Sequence, residues 1–219
     1  MEQSILTPNQ KKLLGVIVSN PKITNRFYLT GGTALAEFYF QHRLSEDLDF
    51  FSEELFVETE IIHWASQTAK KLQVVEVEYK TLNGQLTFFF HFADEVIKVD
   101  FAYYPFPHLG DFKKWQTLRI ASLEDIGANK IQAIQSRNRG RDFVDLYFIL
   151  TKGNLTFDTL LANYRTKFEI TLSKQELAKQ LMKVVDATDQ PNFLGETKWA
   201  EVEKFILAEA KSMSQEFVE

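Results

Sequence analysis

The sequence predicts an α+β chain: a mixed sheet core with flanking helices over residues 1–115, followed by an all-helical domain over 116–219. Three observations carry this expectation. Short strand-length apolar runs dominate before about residue 110, and apolar residues recur at helical spacing after about residue 115. Pro105, Pro107 and Gly110 punctuate the chain between the two regimes. A length of 219 residues, 45% hydrophobic and 25% charged, suits one large domain or two small ones of ordinary globular composition.

The elements follow in order. Thr7-Pro8-Asn9-Gln10 opens the first helix: Thr7 can cap it, proline suits its first position, and Gln10 can close a capping box. The helix runs to about Val18, and Asn20-Pro21 ends it. Phe27 to Leu29 is a short strand broken by Gly31-Gly32, after which Thr33 opens a helix to about Phe40. Leu48 to Phe51 is a second strand. A helix from Val57 to Lys71 places Ile61, Ile62, Ala65 and Ala69 at helical spacing. Three strands follow, over 74–79, 86–91 and 96–101, with Asn83-Gly84 a strong hairpin signal between the first two and Asp94-Glu95 a second turn. From about Trp115 every periodic segment reads as helix: 123–137 capped by Ser122, 141–151, 158–167, 177–185 behind a Ser173/Glu176 capping box, and a last one from Thr197 to about Met213.

Composition excludes several classes of function. With no cysteine there can be no disulfide, thiol nucleophile, iron–sulfur cluster or Cys-ligated zinc. His42, His63, His91 and His108 show no His-x-x-x-His spacing, and no Gly-x-Ser-x-Gly elbow of a serine hydrolase occurs. The net charge of -5 is no general advertisement for nucleic acid, although a local basic patch can still serve one. No stretch of ~18 apolar residues is long enough to span a membrane, and Met1-Glu2-Gln3-Ser4 does not open a signal peptide, so a cytoplasmic protein is expected.

Chemistry concentrates in two stretches, Leu29-Thr30-Gly31-Gly32-Thr33 and Arg43-Leu44-Ser45-Glu46-Asp47-Leu48-Asp49-Phe50-Phe51. On a strand, positions i and i+2 face the same way, so Asp47 and Asp49 project together. Two adjacent carboxylates repel unless a cation lies between them, and Mg²⁺ prefers such hard oxygen ligands. Taken alone, Asp-x-Asp also suits a solvated strand end, and Gly-Gly a tight turn. The glycines, however, follow a strand and open a helix, where backbone N–H groups and the helix dipole can hold phosphate. Neither a Walker A loop nor a Gly-x-Gly-x-x-Gly fingerprint is present. Asp100 ends an apolar strand, Val96 to Phe101, where an acid is disfavoured. If that strand adjoins the Asp47/Asp49 strand, three carboxylates converge, enough for two metal ions in phosphoryl chemistry.

A Gly-Gly turn, Asp-x-Asp on the next strand and a further Asp on a later strand resemble the nucleotidyltransferase superfamily with the DNA-polymerase-beta-like core. The form Gly31-Gly32-Thr33-Ala34-Leu35 with Arg43-x-Ser45-x-Asp47-Leu48-Asp49-Phe50 resembles, more particularly, the AbiEii/AbiGii toxin family. Lys130, Ala133 and Arg137, then Arg141-Asp142-Phe143-Val144-Asp145-Leu146-Tyr147, are similar to that family's helical-domain motifs; the likeness spans about Tyr28 to Leu150. The resemblance implies a nucleotidyltransferase-like fold and transfer of a nucleotide from an NTP, by the toxin of a bacterial toxin–antitoxin or phage-defence pair. Some relatives act on tRNA 3′ ends, which makes RNA the expected acceptor and an antitoxin protein the expected partner.

The resemblance also implies roles. Gly31, Gly32 and Thr33, with Arg43 and Ser45, would hold phosphate. Asp47, Asp49 and Asp100 would be catalytic and hold Mg²⁺, Asp100 as base or third ligand. Lys130 and Asp145 match the later Lys and Asp, in a cleft between the two domains. On the residues alone, Lys130 reads as a partly exposed lysine whose removal would spare stability, and Asp142 and Asp145 share a helix face on which Arg137, Arg139 or Arg141 could form surface ion pairs. Those three arginines are the densest positive cluster and the best place for an RNA backbone. Two alternatives stay open: a small-molecule, antibiotic-type nucleotidyltransferase, and a non-catalytic partner-binding module of the same fold.

Overall fold

The computed structural model describes residues 4–215. The chain forms two compact units. The first holds the described residues up to Tyr39 together with Ser45–Pro107 and Asp111–Ala121; the second holds Phe40–Leu44, His108–Gly110 and the described residues from Ser122 onward.

The first unit is built on a seven-stranded sheet. Its strands are β1 (Tyr28–Thr30), β2 (Leu48–Ser52), β3 (Glu76–Leu82), β4 (Gln85–His91), β5 (Val96–Tyr103), β6 (Lys113–Trp115) and β7 (Leu118–Ile120), in the spatial order β3-β4-β5-β2-β1-β7-β6. The β3-β4-β5 meander is antiparallel, as the turn signals require, with Asn83 and Gly84 both at positive φ (50° and 77°) in the first hairpin. The sheet is mixed because β2 runs parallel to β5 and β1 parallel to β7.

Strand β7, which follows β6 in a hairpin, corrects the expectation that every periodic segment after about Trp115 is helical. The two strands are three residues each, too short for a periodicity to register, and no glycine marks their turn, where Gln116 takes a positive φ of 53°. Burial supplies the reason they form. Leu118 and Ile120 are fully buried, and Arg119 between them lies opposite Tyr28 of β1.

One face of the sheet is apolar and aromatic. Phe101 of β5 stacks on Phe50 of β2 at 5.3 Å between ring centroids and meets Phe27 at 4.9 Å and Trp64 at 5.4 Å edge-on. Helix α4 (Glu58–Leu72) buries Ile61, Trp64, Ala65, Thr68 and Ala69, a stripe at the i, i+3, i+4, i+7 spacing. Trp64 thus takes the core position expected of Ile62, which is half-exposed. Helix α1 (Pro8–Val18) has the capping box between Thr7 and Gln10. After a short α2 (Pro21–Thr24) and β1, the chain enters α3 (Gly31–Leu35), which widens into a π-helical turn over Ala36–Phe40. Alternation along β2 buries Leu48, Phe50 and Ser52 and leaves Asp49 and Phe51 half-buried on the opposite face.

The second unit is helical, with α5 (Leu123–Ser136), α6 (Gly140–Lys152), α7 (Phe157–Phe168), α8 (Lys174–Leu181), a 3₁₀ turn over Met182–Asp186 and α9 (Trp199–Gln215). The caps expected at Ser122 and Ser173 are present, the latter as a full capping box with Glu176. Helix α6 is buried nearly all round, from Asp142 to Ile149.

A fully buried ion pair ties this unit together. Lys167 near the end of α7 donates to Asp125 in the first turn of α5 at 2.5 Å, and both residues are 2% exposed or less. Asp125 also accepts from the Ser122 hydroxyl at 2.7 Å and from the Leu109 amide at 3.0 Å, which pins the 108–110 segment to α5. Removing one partner of a buried pair strands the other charge, at a cost of about 3–5 kcal/mol. Lys167→Met is therefore expected to lower unfolding free energy by about that amount in urea titration. A midpoint equal to that of the native chain would refute this reading of the pair.

Candidate active site

Asp49 and Asp100 share the face of the sheet opposite the aromatic core. Strand register does this: Thr30 of β1 lies opposite Asp49 of β2, and Asp49 lies opposite Asp100 of β5. Two residues before Asp49, Asp47 enters β2 with its side chain about a quarter exposed (27%).

Gly31 has a physical reason to be glycine. Its φ is +72°, and a Cβ there would collide with the Asp49 carboxylate. The turn from β1 into α3 therefore lies directly against Asp49, with Gly31 and Gly32 at the start of the helix. Thr33 is used differently from the phosphate contact expected of it. It is fully buried, and its hydroxyl donates to the Asp47 carbonyl, fixing the entry to β2. The Ser45 carbonyl, with that of Glu46, accepts from the Gln10 side chain at 3.0 Å, so α1 holds the same loop from another side.

Asp100, expected as a base or third metal ligand, is held by its neighbours on β4 and β5. It is 4% exposed, and both its oxygens are engaged: Oδ1 accepts from Thr87 of β4 at 2.5 Å and Oδ2 from Lys98 of β5 at 2.5 Å. Lys98 Nζ also lies 3.6 Å from Asp47 Oδ2. Burial pulls the Lys98 ammonium toward its neutral form, but Asp100, Asp47 and Asp49 outweigh that and raise its pKa above the ordinary lysine value. Among the described residues, no three acidic or histidine side chains are gathered closely enough for a ready-made metal cage. The Asp47/Asp49 pair still fits a divalent cation. Its donors are hard oxygens, and the Asp47 side chain is open enough to solvent for an ion to reach it.

The sequence-predicted residues of the second unit form a buried network. Lys130 of α5 is 6% exposed, not half in solvent, and its ammonium bonds Asp142 at 2.7 Å and Asp145 at 2.6 Å, both on α6. The three-residue spacing of the two aspartates puts them on the face that meets it. Arg137 pairs with Asp142 at 2.7 Å and 3.1 Å, but Asp142 is fully buried, so this is no surface ion pair.

Arg43, expected at phosphate, is also buried. Its guanidinium closes on Asp145 through Nε at 2.7 Å and Nη2 at 2.8 Å, while Nη1 donates to the Leu44 carbonyl. Backbone pairing holds the segment in place, because Leu44 donates to the Asn192 carbonyl and Leu194 to that of His42, each at 2.9 Å. Arg139, by contrast, is exposed, with Asp189 at 3.7 Å.

His42 is the member the motif reading missed. It is 1% exposed, 2.8 Å from Asp145 through Nε2, and packed on Phe148 at 4.6 Å. A carboxylate only accepts, so Nε2 carries the proton, and Nδ1 is buried with no partner among the described residues. Burial lowers the His42 pKa below its ordinary 6.5 despite Asp145. For Asp145, burial pushes the pKa up, yet Arg43, Lys130 and His42 together hold it well below the usual carboxylate range. Asp142 follows the same pattern, with burial opposed and outweighed by Lys130 and Arg137. Lys98 was legible as well, since Lys-x-Asp places both side chains on one strand face.

Comparison with known proteins addresses the family and the fold. The family model described as "Nucleotidyl transferase AbiEii toxin, Type IV TA system" matches residues 12–213. An uncharacterized protein of Aquifex aeolicus (strain VF5) is 32% identical over 210 residues, which is 94% of this chain and 96% of that one. Among solved structures, JHP933 from Helicobacter pylori aligns over 96% of this chain and 92% of its own, at 20% identity and a TM-score of 0.61. A second H. pylori chain aligns over 97% and 98% at 19% identity and a TM-score of 0.63. Likeness at that level of identity establishes the fold.

Two outcomes follow from the buried network. Lys130→Ala leaves Asp142 and Asp145 short of a shared cation and is expected to destabilise by about 3–5 kcal/mol in denaturant unfolding; a loss under about 1 kcal/mol would contradict the burial. His42 makes stability pH-dependent. With the folded pKa lowered, the unfolded chain binds the proton first, so stability is full above about pH 6.5 and falls as pH drops toward the folded value. The depressed Asp145 has the same sign at lower pH, its contribution being present above about 3.8 and lost as pH falls through the folded pKa. In His42→Gln, whose amide can still donate to Asp145, the drop in Tm between pH 7 and 5 should shrink; an unchanged drop would acquit His42.

Proposed function

The chain belongs to the AbiEii nucleotidyl transferase toxin family, and we propose that it acts as the toxin of a type IV toxin–antitoxin pair, moving a nucleotide from an NTP to an acceptor hydroxyl on RNA, at a tRNA 3′ end. One observation carries the reading: the carboxylate of Asp49, two residues after Asp47, stands against a positive-φ glycine turn that opens a helix. That combination brings anionic ligands for a cation and N–H donors for phosphate to one place.

The residues divide the work by their chemistry. The Gly31 and Gly32 amides, at the positive end of α3, suit the triphosphate. Asp47 and Asp49 would hold Mg²⁺, which when bound supplies charge neutralisation on the phosphates. Thr33 and Gln10 keep the Asp47 loop in position. Lys130 gives two of its three donors to Asp142 and Asp145, which hold its ammonium in one place. The acceptor oxygen bonds to the α-phosphorus as the bond to pyrophosphate breaks, and catalysis rests on positioning and charge.

RNA is favoured over a small cationic acceptor by the exposed arginines at 137 and 139, which suit a phosphate backbone. The test is incubation with labelled NTPs, total RNA and Mg²⁺. Asp49→Ala, with its fold verified by circular dichroism, should label RNA ~100-fold less or worse than the native chain. Equal labelling by both proteins would overturn the proposal, and labelling of small metabolites alone would overturn the RNA acceptor.

A further inference from the structure

We infer that a run of half-exposed aromatic rings beside Asp49 is the stacking site for the single-stranded 3′ end of the acceptor RNA. This rests on the reading of Asp49 and the Gly31-Gly32 turn as the nucleotidyl-transfer centre. Phe51 follows Asp49 by two residues on β2, so the two side chains share the face opposite the aromatic core, about 7 Å apart along the strand. Tyr28 lies opposite Phe51 on β1, Arg119 opposite Tyr28 on β7, and Lys114 opposite Arg119 on β6. Cross-strand partners share a face, so one row of side chains crosses four strands, aromatic beside the carboxylate and cationic at the edge of the sheet. The rings are in contact. Phe51 meets Tyr104 at 4.4 Å and Tyr28 at 6.2 Å between centroids, Tyr28 meets Phe112 at 5.1 Å, and the Arg119 guanidinium lies 5.0 Å from the Phe112 ring.

Exposure separates these rings from the core. Phe50 and Phe101 on the other face are fully buried, whereas Phe51, Tyr104 and Phe112 stay half-exposed in the folded chain. Every base has a π face, so aromatic rings with cations beside them hold a single strand whatever its sequence. The cations are in place: Lys114 is exposed, Arg119 is half-exposed, and β6 and β7 contain no acid to offset them in a chain of net charge -5. Position selects the acceptor over the base of the NTP. In-line transfer puts the attacking and leaving oxygens on opposite sides of the phosphorus. Strand β1 runs from Tyr28 through Thr30, opposite Asp49, to Gly31, so the aromatic row and the glycine turn lie to either side of Asp49. With the departing pyrophosphate at the turn, the attacking hydroxyl comes from the aromatic side.

The experiment measures binding apart from turnover. A short single-stranded RNA with a 5′ fluorophore is titrated with the full-length chain and followed by anisotropy, and Mg-NTP binding is measured in parallel by calorimetry. Phe51→Leu, which keeps an apolar side chain, should bind the RNA about 5- to 100-fold more weakly and Mg-NTP as the native chain does; Phe51→Tyr should restore the RNA. Lys114→Ala, at an exposed position, should lower the slope of log affinity against log salt by about 0.7. A fully paired RNA of the same sequence should bind more weakly than the single strand. Unchanged RNA affinity in both Phe51→Leu and Lys114→Ala, or equal binding of paired and single-stranded RNA, would overturn the stacking site alone. Weakened Mg-NTP with unchanged RNA in Phe51→Leu would overturn it in favour of the NTP base. Asp49→Ala should still bind the RNA while losing transfer; normal transfer by that variant would overturn the reading of the centre, and with it the placing of the 3′ end at Asp49.

Discussion

A carboxylate withdrawn from water must find cations or N–H and O–H donors, and this chain is organised around four that do. Asp100 has Lys98 and Thr87; Asp125 has Lys167, Ser122 and a backbone amide; Asp142 has Lys130 and Arg137; Asp145 has Arg43, Lys130 and His42. Each is 4% exposed or less. Buried ion pairs do not stabilise a fold cheaply, because desolvation offsets much of their attraction. What they impose is geometry, since each donor has one position in which the charge is satisfied. The segment at 40–44, the 108–110 segment and helices α5, α6 and α7 are all located by such contacts.

In the sheet unit the same constraint works through register. Asp49 reaches its place because β2 is paired on both sides, with Thr30 opposite on β1 and Asp100 on β5. The aromatic face beneath, centred on Phe101, makes that register costly to shift: a one-residue slip would turn Phe50 outward and Asp49 into the core. Gly31 completes the arrangement, because any side chain there would occupy the space of the Asp49 carboxylate. The apolar packing and the polar site are two sides of one alternating strand.

Much of this was readable from local chemistry. The capping boxes at Thr7/Gln10 and Ser173/Glu176, the Asn83-Gly84 hairpin and the alternation along β2 depend on neighbours a few residues away, and they stand as expected. Strands β6 and β7 were not readable, because three residues carry no period and β7 pairs with a strand some ninety residues earlier. Lys130 misled for a related reason. A lysine among isoleucines on an amphipathic helix looks like a flank residue until the following helix brings two aspartates against it. Arg43 was noticed for its place in a motif, but its partner Asp145 lies 102 positions away.

The residue types and their short-range spacing therefore settle most element types, the caps, the alternation along β2, and the exclusion of thiol and iron–sulfur chemistry. Long-range pairing settles the rest: which carboxylates are sheltered, which cation each one meets, and that Asp100 faces Lys98 and Thr87. The division has a physical basis. Helix caps and strand alternation are fixed by backbone geometry within a turn or two, whereas the state of a buried charge is fixed by whatever distant group the packed chain brings within about 3 Å of it.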